Sequence, residues 1–162
     1  MDTRARVLIV VAFSMGLMVG VAAIARVQGV AGQPRAAKRA VRPGRAPNTG
    51  LPYSSGILAG NTLYVSGHLG RDPVTAKLVA GGIEAETTQS LANIREVLRA
   101  AGMDFKDVVS VTAYIASFDD FASFNAVYKK AFTGDLPARA TVQVAALNDG
   151  ARIELQMIAV KP

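Results

Sequence analysis

The sequence predicts an α+β domain of two layers, a mixed β-sheet with two helices on one face. Three observations lead there. Residues 137–145 and 152–160 alternate apolar and polar side chains around a turn at Asn148-Asp149-Gly150, the pattern of a β-hairpin. Residues 83–101 place Thr87, Leu91, Ile94, Leu98 and Ala101 at helical spacing. Residues 119–132 place Phe121, Phe124, Tyr128 and Phe132 along one helical face. Helices with a single apolar stripe each must bury it, and packing both on one side of a sheet is the simplest solution.

Taken from the N terminus, residues 1–31 read as a signal peptide or an N-terminal membrane anchor. No charge occurs from Val7 to Ala25. That run borders both the roughly 20 residues of a spanning helix and the roughly 7–15 of a signal peptide's apolar region. Ala23-Ile24-Ala25 matches a small-residue cleavage pattern, and Gly29-Val30-Ala31 is a weaker match. Six basic residues follow the run and two precede it, a bias that favours a cytoplasmic downstream side. The expectation is a cell-envelope protein, exported to the periplasm or tethered by its N terminus, with a cytoplasm-facing anchor as the alternative. Residues 32–47, rich in Pro, Ala and Arg, read as a flexible basic linker. The globular domain is expected over 48–162.

The net charge of +6 and pI near 10.0 first point to a nucleic-acid or anionic-membrane partner. The location of the charge reverses that reading. Residues 1–45 hold eight basic residues against Asp2, whereas residues 46–162 hold ten basic and eleven acidic residues. The domain lacks a phosphate-binding excess, so no nucleic-acid partner is expected, and membrane contact only through the N-terminal segment. The absence of cysteine excludes disulfides, thiolate nucleophiles and sulfur-ligated metals. With His68 as the only histidine, no metal site is expected.

Within the domain, 56–59 and 62–66 flank Gly60-Asn61 and read as two short strands joined by a tight turn. Residues 71–77 read as a loop, Leu78-Val79 as a short extended piece, and Gly81-Gly82 as punctuation before the first helix. Gly102 suits the position just past that helix. Residues 108–116 alternate as a strand, with Val109, Val111, Ala113 and Ile115 on one side. The second helix ends before Gly134 and Pro137, and its aromatic stripe is assigned to packing on the sheet.

In the expected hairpin, Val142 and Val144 share a face with Ile153, Leu155 and Met157. Arg139, Thr141, Gln143, Glu154 and Gln156 share the other. Centring the turn on Asn148-Asp149 pairs Arg139 with Ile158 and Gln143 with Glu154, which offsets Arg139 from Glu154 by about 13 Å. The uncovered sheet face would then carry Ser110, Thr112, Tyr114, Arg139, Thr141, Gln143, Glu154, Gln156, Ile158 and Val160. That mixture is too apolar for open solvent and favours a closed symmetric oligomer.

Several segments in this order and spacing resemble the RidA/YjgF family of reactive intermediate deaminases. They are Leu51-Pro-Tyr53, Tyr64-Val-Ser-Gly67, the run Gly81-Gly-Ile-Glu-Ala-Glu-Thr-Thr-Gln-Ser-Leu-Ala-Asn-Ile94, Asn125-Ala-Val-Tyr128, Pro137-Ala-Arg-Ala140 and Ile153-Glu-Leu155. The resemblance implies a chorismate-mutase-like fold and a homotrimer with its sites in clefts between subunits. It also implies cofactor-independent hydrolysis of imine and enamine carboxylates, of the 2-aminoacrylate and 2-iminopropanoate type, to 2-keto acids and ammonia.

Carried over to this chain, the resemblance makes Arg139 the group that binds the substrate carboxylate, a task suited to its planar fork. Glu154 corresponds to the glutamate that handles the attacking water. Thr141 stands where a backbone carbonyl helps hold that water, often in a cysteine. Tyr53, Ser66 and Asn125 correspond to polar groups lining the cleft. His68 stands where the family more often has glutamine, and is placed at the cleft edge as a substrate contact. Ser66 and His68 are two apart and would share a strand face, so a serine nucleophile with a histidine base is a formal rival. It lacks an orienting acid apart from Asp72 in a loop. A non-catalytic trimer binding small carboxylates is the alternative function, and RNA binding or cleavage a weaker one.

Overall fold

The computed structural model describes residues 37–44, 50 and 52–162. The expected leader and part of the expected linker lie outside the described residues. Six strands form one sheet: β1 (Lys38–Val41), β2 (Gly56–Ala59), β3 (Thr62–Leu69), β4 (Val108–Ile115), β5 (Ala138–Gln143) and β6 (Ile153–Val160). The helices are α1 (Gly82–Ala100) and α2 (Phe121–Tyr128). The sheet order is β1-β2-β3-β6-β4-β5, with every neighbouring pair antiparallel except β4 and β5.

The expected stripe of α1 is the buried one: Thr87, Leu91, Ile94, Leu98 and Ala101 all lie in the core. The helix stops where Gly102 takes φ +74°. There Gly102 N–H donates to the Arg99 carbonyl and Met103 N–H to that of Leu98, the paired bonds of a Schellman ending. Along α2 and its continuation, Phe121, Phe124, Tyr128 and Phe132 stack in sequence, with ring centroids 6.5, 5.4 and 4.8 Å apart. Phe105 closes the row against Phe132 at 5.2 Å. Leu63, Val65, Val111, Ala113, Ile115, Ile153, Leu155, Met157 and Ala159 meet the helices from the sheet, each at most 1% exposed.

The C-terminal hairpin does not form. Its turn exists, with Asp149 at φ 56° and Gly150 at φ 73°, but β4 lies between the two strands it joins. β5 runs parallel to β4 in the register Val111↔Arg139, Ala113↔Thr141 and Ile115↔Gln143. Arg139, Thr141 and Gln143 therefore face the helices, while Ala138, Ala140 and Val142 share the open face with Ser110, Thr112 and Tyr114. On β6 the expected faces hold: Ile153, Leu155 and Met157 are buried, and Glu154, Gln156, Ile158 and Val160 alternate with them on the open side. The expected placement of Arg139, Thr141 and Gln143 beside Glu154 is thus corrected. The alternation of β5 is clear but inverted: its apolar members Ala138, Ala140 and Val142 lie on the open face and its polar members on the helix side, and a one-residue change of register exchanges the two.

Three smaller differences matter. Lys38–Val41, expected within the linker, pairs with β2 as an edge strand. Val109 sits at a register shift in β4 and is exposed rather than aligned with Val111. β3 also bulges: Val65 pairs with Met157 and His68 with Leu155, so Ser66 and Gly67 together oppose Gln156. That extra residue returns His68 to the helix side and leaves Ser66 on the open side.

Candidate active site

Arg139 projects from β5 beneath α2. Its Nη2 donates to Asn125 Oδ1 at 2.7 Å. The guanidinium carbon lies 4.5 Å from the Tyr128 ring centroid, 5.0 Å from that of Phe124 and 5.9 Å from that of Phe121. Positions 121, 124, 125 and 128 fall on one helical face, which is why one short helix supplies all four partners. Among the described residues the guanidinium makes no other hydrogen bond, so its Nε and Nη1 donors are available for a carboxylate. Burial pushes the Tyr128 hydroxyl up to about 12, against the opposing pull of Arg139. That hydroxyl is buried and, although it feels the Arg139 guanidinium, makes no well-formed hydrogen bond.

Thr141 lies two residues along β5, at the end of the sheet order. Val144 N–H donates to the Ile115 carbonyl on β4 at 3.0 Å. By strand alternation the backbone groups of Thr141 turn the other way, toward the free sheet edge. A carbonyl presented there can accept from a water.

Glu154 sits on the open face of β6, opposite Tyr114 in register. Its carboxylate occupies the space above Gly67, where any β-carbon would overlap Oε1. Ser66, beside it at the β3 bulge, donates its hydroxyl proton to the Ser54 carbonyl at 2.7 Å. Tyr53 is 58% exposed in the loop before β2.

His68 is separated from Ser66 by the sheet itself. Its Nε2 is buried with no hydrogen-bond partner. Burial pushes the imidazole below its ordinary value, with the Ser55 carbonyl pulling upward more weakly. The serine–histidine rival therefore loses its geometry, because the bulge breaks the shared face it requires.

One chain thus brings Arg139, Asn125 and Thr141 together on the helix side and sheet edge, and Glu154 with Ser66 on the opposite side. Sequence reasoning had treated the aromatic stripe as packing alone and missed its contact with Arg139. The available signal was Asn125 lying within the same helical face. It also missed the support under β6. Arg152 forms a two-bond pair with Asp120, Nε and Nη2 each donating at 2.7 Å. Its backbone N–H donates to buried Glu86 Oε2 at 2.8 Å, anchoring the strand two residues before Glu154. Among the described residues no group of three or more His, Asp or Glu gathers to hold a metal.

Comparison with known proteins places this arrangement in a family. Residues 43–161 match the family model described as Endoribonuclease L-PSP. The goat protein named 2-iminobutanoate/2-iminopropanoate deaminase is 46% identical over 124 residues, 76% of this chain and 90% of that one. The Arabidopsis thaliana protein named Reactive Intermediate Deaminase A, chloroplastic, is 43% identical over 75% of this chain and 65% of that one. The crystal structure of the E. coli YjgF gene product superposes with a TM-score of 0.72 at 34% identity, covering 76% of this chain and 99% of that one.

The expectation of a cell-envelope protein, exported or membrane-tethered, is corrected by these findings. The Arabidopsis relative carries a chloroplast name, and among the described residues no helix is long and apolar enough to cross a membrane. The apolar run at 7–25 that prompted the expectation lies outside the described residues. The matched model, the shared fold and identities above 40% with named deaminases show that the chain belongs to the RidA/YjgF family.

Proposed function

We propose that the protein is a hydrolytic deaminase of small reactive imines and enamines, of the 2-aminoacrylate and 2-iminopropanoate type, which yields 2-keto acids and ammonia. The observation that carries this reading is Arg139, held from one side by Asn125 and the aromatic face of α2 with donors left for a carboxylate. Such a fork recognises the one group common to all these substrates.

An enamine first tautomerises to its imine. Water then adds to the imine carbon: the new C–O bond forms, the C=N pair moves to nitrogen, and Glu154 takes one water proton and passes it to that nitrogen, giving the neutral carbinolamine. In its collapse Glu154 takes the hydroxyl proton as C=O forms, the C–N bond breaks, and the same proton goes to the leaving nitrogen, which departs as ammonia. The Thr141 carbonyl helps orient the water, and Tyr53, Ser66 and Asn125 line the cleft. His68 acts from the helix side of β3 on the shape of the cleft edge.

Arg139 and Glu154 face opposite sides of one sheet, so a complete site needs two copies of the chain. The reading is a homotrimer in which the β5 edge of one copy meets the open face of the next. An RNA substrate finds less support, since residues 46–162 carry ten basic and eleven acidic side chains.

The test is pyruvate release from 2-aminoacrylate generated in situ. The protein should accelerate it, and Arg139→Ala should reduce the acceleration by at least about 100-fold, the scale expected when a charged clamp that orients the reacting atoms is removed. No acceleration by the folded oligomer would overturn the proposal.

A further inference from the structure

Tyr128 is an unusual core residue. A buried tyrosine ordinarily gives its hydroxyl a partner, yet this one makes no well-formed hydrogen bond, although the residue is only 3% exposed. Its ring, by contrast, has three close neighbours: Phe124 and Phe132 pack at tilted angles with centroids 5.4 and 4.8 Å away, and the Arg139 guanidinium carbon lies 4.5 Å from its centroid. Of the three rings facing Arg139, this is the nearest. The hydroxyl stays protonated and neutral at working pH, with its pKa pushed up to about 12 by burial. No phenolate is present to pair with the arginine, and the Tyr128 ring is the aromatic surface nearest to its guanidinium.

A long arginine side chain loses much rotamer freedom when it is fixed. Asn125 supplies one hydrogen bond, which anchors one nitrogen but leaves the plane of the fork free to rotate. A ring surface in contact removes that second freedom, and the attraction between cation and ring is strengthened where water is excluded.

We infer that Tyr128 is a positioning residue for carboxylate recognition: its ring fixes the plane of the Arg139 guanidinium while Asn125 anchors Nη2, leaving Nε and Nη1 aimed together at the substrate. The inference rests on the reading of Arg139 as the carboxylate clamp. The aromatic stripe of α2 thereby serves both the core and the site. A lysine in place of Arg139 has no plane to orient, so the contribution of Tyr128 should vanish with the guanidinium.

The experiment is calorimetric binding of 2-oxobutanoate to the full chain, in a cycle of Tyr128→Met and Arg139→Lys with Tyr128→Phe as the conservative variant. Tyr128→Met should weaken binding roughly fivefold to thirtyfold. Tyr128→Phe, which keeps the ring, should stay within about twofold of the wild type. The double variant should bind no more than about twofold more weakly than Arg139→Lys alone.

Three results would overturn the inference: unchanged binding in Tyr128→Met, a loss in Tyr128→Phe as large as in Tyr128→Met, or a full additional loss in the Arg139→Lys background. Undiminished binding in Arg139→Ala would instead defeat the clamp reading, and this inference with it. A second measurement needs no ring deletion. The Arg139 Nε–H proton resonance of the wild-type protein, assigned by its loss in Arg139→Lys, should lie upfield from ring shielding, and a resonance at the random-coil position would refute the stacking.

Discussion

At the scale of single residues, Gly67 shows how an absent side chain can determine a present one. The carboxylate of Glu154 fills the volume that a β-carbon on residue 67 would need. Gly67→Ala must therefore move Glu154, even though glycine is not required there by any positive φ. A displacement near 1 Å at a proton-transferring group can cost about 100-fold in rate. Steady-state kinetics of Gly67→Ala should show that loss in kcat, with a thermal midpoint close to the wild type. His68 makes a different prediction. Burial holds its pKa below the ordinary 6.5, so on acidification the unfolded chain binds a proton before the folded one does. Stability should fall as pH drops through about 6.5 toward the lower folded value. His68→Gln should flatten the fall of the thermal midpoint below about pH 6.5, and an unchanged slope would refute the assignment.

At the scale of elements, legibility followed the contrast between faces. The α1 stripe and β6 were readable because their apolar and polar positions separate: Leu91, Ile94 and Leu98 are buried, as are Ile153, Leu155 and Met157. Periodicity then identifies both the element and its inner side. β5 carries that contrast with its two faces exchanged. Ala138, Ala140 and Val142 alternate with Arg139, Thr141 and Gln143, and the arginine is the inward member because α2 supplies it with rings and an amide. A half-buried cation reads as exposed until its partners are known. The turn at 148–150 was also correctly located and yet misleading, since an Asp-Gly turn signals a reversal without stating whether the strands become neighbours. The bulge in β3 had no sequence mark beyond Gly67. Individual site residues were legible only through the resemblance of short segments to a family, and their distribution between two faces required coordinates.

At the scale of the whole molecule, the open face is the feature that demands a partner. Tyr64 is 51% exposed and Val142 45%, and both share that face with Ile158 and Val160. Tyr64 and Ile158 also border a cavity of about 90 Å³ with Ser110, Thr112 and Gln156. Apolar groups so arranged favour symmetric self-association. Because Arg139 and Glu154 stand on opposite faces, two crippled chains can repair one another. In the proposed trimer, Arg139→Ala and Glu154→Gln assemblies should each be nearly inactive. When the two are unfolded together and reassembled at equal amounts, random association should restore roughly a quarter of the sites, each taking its intact arginine from one chain and its intact glutamate from the next. Recovery of about that fraction of wild-type activity, measured against each variant refolded alone, would show the division of labour. If the mixture remained as inactive as its components, both residues would have to work within a single chain. The position of one strand between two others would thus be read out as genetic complementation between alleles.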